Sequence, residues 1–377
     1  MQSLPDALSD AELLHATAHA IAQPKRARAS SFTLHAPLEL LARAALLPLV
    51  PAETRTLARL RLAAIATEYA EGEEIAPPTR AFPNTTAALA ALLAAFADAD
   101  ADAADAAITW LAPRLPARDL SAALADAAAS RLGAAAHAPI LLSQLPAASA
   151  QFGDLSGLLR APVRTLAAEA HVRLTWIDTP DPAKATSKGP ADLFEALAAP
   201  ARIRASSAFI APTMLAVEAD GFAAHTLARA CATVSPADAG RGLLRIAALS
   251  MLQDDPAHAP YGWSHCLSLP QGVLGLAPHA RDPGRCVRVA ATYVLGFRAT
   301  LGQARLNADW RTAAPEPQTV TELAARAAAH PDAHLAKYTV ACLAAAADDP
   351  PARPLFMAAA TYLGRWWDAH PGAGSKG

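Results

Sequence analysis

Apolar positions recur at i, i+3, i+4 and i+7 through most of the chain, the spacing of one helix face, and few stretches alternate as strands do. The stretch 53–72, ETRTLARLRLAAIATEYAEG, sets a basic face against an apolar one, and DAELLHATAHAIA at 10–22 predicts a helix opened by Asp10 as its cap. TELAARAAA and AHLAKYTVACLAAAA continue the period further on. Prolines, 31 in all, fall largely between these runs, where they start or stop helices. The pattern predicts an all-α multi-helix bundle of roughly fifteen helices. It leaves room for two halves about a central metal site.

Length and composition narrow this picture. With 377 residues, 53% of them hydrophobic, the chain can bury a large core as a single helical domain over 1–377. DTPDPAKATSKGPAD (178–192) is polar and aperiodic, so it reads as a surface loop or a linker. ADADADAAD (98–106) reads as a helix junction. A net charge of −2 without a long basic run argues against nucleic acid as a partner. No apolar run approaches the roughly 18 residues of a spanning helix, so no membrane association is expected. The first residues lack the charged and apolar regions of a signal peptide, and the four scattered cysteines read as reduced thiols. Together these predict a cytoplasmic location.

Several chemical motifs fail. GAGSKG (372–377) matches a dinucleotide-binding glycine pattern, but no strand precedes it and no helix follows. Glu12 and His15 have di-iron spacing, but that architecture needs a second such pair, and none is present. The pair therefore reads as a helix face.

What remains is a set of histidines in apolar surroundings. His-Ala-Pro occurs at 35–37, 137–139 and 258–260, and the first two open apolar helical stretches. Proline suits a first helical turn, where its missing N–H would be unpaired anyway. The expectation is a histidine at each helix entrance, although common alanine and proline also produce such a repeat by chance. His35, His137, His265 and His334 each need a partner if buried, because an unpaired imidazole in an apolar interior is costly. Neutral imidazole suits iron, copper or zinc, so a shared metal is one solution and four separately satisfied core histidines another. Beside His265, Tyr261 and Trp263 are placed to meet a substrate, although Trp263 equally suits core filling. Pro270 marks a kink or a helix end. His334 and Lys337 share one helix face at i and i+3. Lys337 reads either as a side chain reaching solvent or as an amine that burial holds neutral.

Four segments in order carry a resemblance. LHAPLELLARAALL, AAAHAPILLSQLPAA, GWSHCLSLPQGVLG and DAHLAKYTVACLAAAADDPPARPLFMAAATYL resemble the histidine-bearing helices and closing motif of questin oxidase-like proteins. That family includes all-α oxygenases that open the rings of anthraquinone-type polyketides. The resemblance implies a non-haem iron oxidoreductase, either a dioxygenase or a Baeyer-Villiger-type oxygenase. It implies one Fe(II) held by His35, His137, His265, His334 and Lys337, with the lysine carboxylated by CO2 to a carbamate. Five such ligands leave an octahedral position for O2, and an aromatic or quinone-type small molecule would be the substrate. The chain departs from the family pattern around the second histidine, where Ala136 precedes it and Leu141 and Leu142 follow. The GWSHC wording also differs, which leaves His258 as a substitute for His265. Glu39, one turn after His35, is a candidate to orient a histidine or an exposed glutamate. Competing readings are a metal-free α-helical scaffold and a protein that binds a hydrophobic ligand. Against an α-solenoid scaffold, no repeat of roughly 40 residues is present.

Overall fold

The computed structural model describes residues 8–25, 31–69, 72–178, 190–204, 210–309 and 316–373, with the backbone alone at 31–34. Most of the predicted loop at 178–192 and the end of the 372–377 segment lie outside these residues. The described chain is all-α, with two isolated bridges and no strand. Its helices are α1 (Asp10–Ile21), α2 (Ser31–Leu46), α3 (Ala52–Glu68), α4 (Thr85–Ala97), α5 (Ala101–Leu111) and α6 (Ala117–Ala129). There follow α7 (Ala138–Phe152), α8 (Arg160–Ala168), α9 (Leu193–Ala198), α10 (Ile210–Glu218), α11 (Phe222–Ala232) and α12 (Pro236–Gln253). The last five are α13 (Ser264–Leu276), α14 (Pro283–Leu301), α15 (Val320–Ala329), α16 (Ala333–Asp348) and α17 (Arg353–Ala369). Buried apolar residues from Leu13 to Trp367 form one continuous core.

Local chemistry sets the helix ends. Ser9, rather than Asp10, caps α1 and exchanges hydrogen bonds with Glu12, which is therefore a capping residue. Asp10 instead pairs with Arg55 and Arg59 of α3. His15 bonds the Phe152 carbonyl at 2.7 Å, so neither half of the di-iron spacing is free for a metal. Asp98 ends α4 and Asp100 caps α5, as the alanine-aspartate junction predicts. Among the described residues no helix is long and apolar enough to cross a membrane.

Four helices far apart in the sequence close into a ring, α2 against α7, α7 against α13, α13 against α16, and α16 back against α2. Two devices fix it. At Gly272 of α13 a Cβ would lie 2.8 Å from the Ile140 backbone of α7, and at Gly275 one would lie 2.7 Å from Ser143. Only glycine permits this approach, which is the packing value of a residue without a side chain. On the other side, Arg43 of α2 is buried and donates to the carbonyls of Ala328 and His330, each at 2.7 Å. It thereby caps the end of α15 and places the start of α16 beside α2.

A candidate metal centre of four histidines and a lysine

Each helix of the ring delivers one histidine. His35 is the fifth residue of α2, with Pro37 inside that helix, so the expected helix-entrance position fails here. His137 immediately precedes α7, with Pro139 in the first turn, as expected. His265 is the second residue of α13 and follows a π-helical turn, Ala259–Trp263. Such turns shift side chains out of the regular register and are frequent at functional sites. Pro270 lies within α13 without ending it, so the irregular backbone precedes His265 rather than following it. His334 is the second residue of α16, and Lys337 follows three positions later on the same face.

The four rings form a closed circuit. Centroids are 4.8 Å apart for His35 and His137, 5.3 Å for His137 and His265, 4.9 Å for His265 and His334, and 5.0 Å for His334 and His35. Ligand atoms of His35, His137 and His265 all lie within 4.8 Å of one another. Nitrogens across a shared metal stand about 4 Å apart, since each bond is about 2 Å long, so this spacing is close to a ligating one. His258 makes none of these ring contacts and has its Cβ beside Gly262, so it stands outside the circuit to which His265 belongs.

Three of the four tautomers are fixed from outside the circuit. His137 Nδ1 donates to the Ala135 carbonyl at 2.8 Å, His265 Nδ1 to the Tyr261 carbonyl, and His334 Nδ1 to Asp332 Oδ1 at 2.9 Å. With the proton on Nδ1, each Nε2 keeps a lone pair. His137 Nε2 meets His35 Nε2 at 3.2 Å, whereas Nε2 of His265 and His334 are buried with no hydrogen-bond partner. Burial, then the Lys337 charge, pushes all four imidazoles below their ordinary pKa, so they are neutral near pH 7.

Lys337 is 4% exposed, and its Nζ is buried without a partner. It does not reach solvent. Burial lowers its pKa from 10.5 to about 8, against the opposing charges of Asp332 and Glu39.

Two residues change role and one enters unforeseen. Glu39 is only 2% exposed, but its carboxylate holds Arg43 and Arg61 and orients no histidine. It acts on the site as a buried negative charge near Lys337. Trp263 is fully buried and donates to the Asp255 carbonyl at 2.9 Å, so it fills core and faces no substrate space. Tyr261 is 43% exposed, and its ring stands edge-on to His334 at 4.9 Å. The unforeseen residue is Asp332. It caps α16 through His334 N at 2.7 Å, holds His334 Nδ1, and accepts from Tyr261 Oη at 3.1 Å. Its capping position was readable from sequence, and its hold on the ring follows from a histidine two residues later.

Strained backbone carries His137. Ala134, Ala135 and Ala136 all have φ between 49° and 59°, one turn of left-handed chain immediately before it. Left-handed alanine costs roughly 1–2 kcal/mol per residue. The turn aims the Ala134 and Ala135 carbonyls at His137 Nδ1, and Glu169 steadies it by accepting from Ala134 N at 3.0 Å. Strain held next to a candidate ligand is the usual place for it.

A separate cavity of about 410 Å³, lined by Leu193, Phe194, Arg245, Leu249 and Leu355 among others, opens near Pro351 beyond the far end of α16. It is about 20 Å along that helix from His334, so it is not part of the histidine centre.

Comparison with protein-family models, curated proteins and solved structures finds no match to this chain.

Proposed function

We propose that this chain is an iron-dependent oxygenase acting on an aromatic or quinone-type small molecule, with Fe(II) held by His35, His137, His265, His334 and a carboxylated Lys337. The observation that carries the reading is the buried donor set. Four neutral imidazoles converge, two of their Nε2 atoms and one amine lack partners, and the opposite edges of three rings are pinned. A metal-free scaffold leaves those three polar atoms unpaired in the interior, each costing about 1–3 kcal/mol. Iron over zinc, and the substrate class, come from the resemblance of the four histidine segments and the Asp-x-His-x-x-Lys helix.

When bound, iron supplies the one-electron chemistry through which O2 reacts with a closed-shell organic molecule. The rest falls to the chain. Asp332 and the two backbone carbonyl sites keep three of the imidazoles, His334, His137 and His265, in the tautomer that offers Nε2. Burial leaves part of Lys337 as free amine near neutral pH, and its nitrogen lone pair attacks CO2. A C–N bond forms, the nitrogen releases a proton to buffer, and the product is a carbamate anion with oxygen donors. The carbamate also replaces the positive charge of Lys337 with a negative one beside four neutral imidazoles. Tyr261, held by Asp332, covers the His334 side and limits water there.

The test is metal analysis of protein purified from iron-replete cells without chelator, with bicarbonate present, followed by O2 uptake with quinol substrates. One equivalent of iron, lost in His137→Ala and His334→Ala and dependent on bicarbonate in wild type but not in Lys337→Ala, is the expected result. A fully folded, metal-free chain under those conditions overturns the proposal.

A further inference from the structure

The chain has few large rings, with six tryptophans and five tyrosines, yet three of these lie in a row leading outward from the histidine centre. Tyr261 stands 4.9 Å from His334, Trp367 stands 6.2 Å from Tyr261, and Trp366 stands 5.1 Å from Trp367, all as ring centroids. At the outer end Trp366 stacks on exposed His370 at 4.1 Å with the planes 14° apart. The row runs from the start of α16, across the π-helical turn, and out along the last turn of α17.

We propose that Tyr261, Trp367 and Trp366 form an electron relay that drains oxidising equivalents from the histidine centre to the protein surface. It rests on the oxygenase reading for its purpose, because only an oxidising site needs such a drain. Electron transfer between aromatic rings needs close spacing and side chains oxidisable at similar potentials. Phenol and indole meet both conditions, and each gap here is near van der Waals contact.

The steps balance as follows. A one-electron oxidant of the oxygen-derived class that a bound metal would supply takes one electron from Tyr261 and is itself reduced by it. Tyr261 is 43% exposed, so its phenolic proton passes to water as the electron leaves, which gives a neutral tyrosyl radical. Trp367 donates an electron to that radical, and water returns the proton, which restores Tyr261. The buried Trp367 Nε1–H has no hydrogen-bond partner, and the His330 ring 4.9 Å away is tilted against the indole without bonding that nitrogen, so the indole radical cation has no acceptor in place to take its proton. It therefore stays a strong oxidant and takes an electron from Trp366. Trp366 is only partly buried, so its radical cation releases the N–H proton to water. A thiol reductant in solution then returns one electron and one proton to it. The unpartnered Trp367 nitrogen, otherwise an unexplained cost, keeps the charge moving rather than trapping it midway.

Because the relay has no fixed direction, it can be tested from its outer end in metal-free protein. Pulse radiolysis with azide radical oxidises indoles first. The expected result is partial first-order decay of indolyl absorption with matching growth of tyrosyl absorption, independent of protein concentration, to a mixture in which both radicals persist; complete conversion to tyrosyl makes Tyr261 the end of the row and overturns the outward drain. That growth is lost in Tyr261→Phe and in Trp367→Phe. Trp366→Phe, at a less buried position, gives the same loss and serves if the Trp367 variant does not fold. Absence of the matched growth in wild type, or its persistence in the Tyr261 variant, overturns the relay whatever the protein's iron content. In the second arm, iron-loaded protein turns over O2 without substrate and is mapped by peptide mass spectrometry. Oxygen should accumulate on Trp366 in wild type and shift to Tyr261 and the ligand histidines in Trp366→Phe. A relay that conducts in a chain unable to hold iron overturns the oxygenase reading and, with it, the protective role.

Discussion

Replacing Lys337 by methionine should make the metal-free protein more stable, the reverse of the usual outcome at a buried position. The amine is nearly inaccessible and bonds to nothing, and its pKa falls from the ordinary 10.5 to about 8. At about 1.4 kcal/mol per pH unit, that gap means roughly 3 kcal/mol spent in the folded state to keep the ammonium at pH 7. Methionine has similar length, no charge and an adaptable shape, so it should recover most of this. The pH dependence has a definite sign. Below pH 8 both folded and unfolded chains carry the proton, and wild type bears the full penalty. Between 8 and 10.5 the unfolded chain binds the proton and the folded chain does not, so wild-type stability rises with pH and the advantage of Lys337→Met shrinks. Urea unfolding with chelator, in buffer stripped of CO2, at pH 7 and at pH 10 measures it. Equal stabilities at pH 7, or a variant less stable than wild type, would refute the reasoning and mean that the amine is satisfied or hydrated.

Other expectations follow from the ring of helices and its anchors. Gly272→Ala should cost about 1–3 kcal/mol in denaturant unfolding, because its Cβ meets the Ile140 backbone and forces α7 from α13; metal content should fall with it. Ala135→Gly should raise stability by roughly 1–2 kcal/mol by relieving a left-handed alanine, and calorimetry reads the gain, while iron dissociates faster because the His137 anchor loosens. Asp332→Asn should weaken iron binding roughly 10- to 100-fold by removing the carboxylate from His334 Nδ1, seen in competition with a chelator.

Much of this arrangement is legible in the chain. Helical periodicity gives the all-α class, and i, i+3 spacing puts His334 and Lys337 on one face. The apolar settings of His35, His137 and His265 mark them as residues in need of partners, and they meet each other. What was not legible depends on contacts remote in sequence or on unusual backbone. Glu39 looks like a helix-face glutamate until Arg61, on another helix, turns inward to meet it. Trp263 looks like a pocket wall until Asp255 takes its N–H. The Ala134–Ala136 turn is invisible because alanine is the residue most inclined to a right-handed helix, and only tertiary packing holds it otherwise. Pro37 likewise sits inside α2 although its chemistry favours a first turn.

The closed ring of α2, α7, α13 and α16 has a consequence for when the centre comes into being. Its first and fourth histidines are separated by about 300 residues, so the site is a contact of very long sequence separation, among the slowest kinds to form. On the ribosome, His35 emerges long before α16 exists to stand beside it. An incomplete chain lacks the fourth wall, the lysine and the Asp332 anchor together. If the proposed function holds, metal would be acquired only after synthesis of this region, and the partial chain would offer no complete set of ligands.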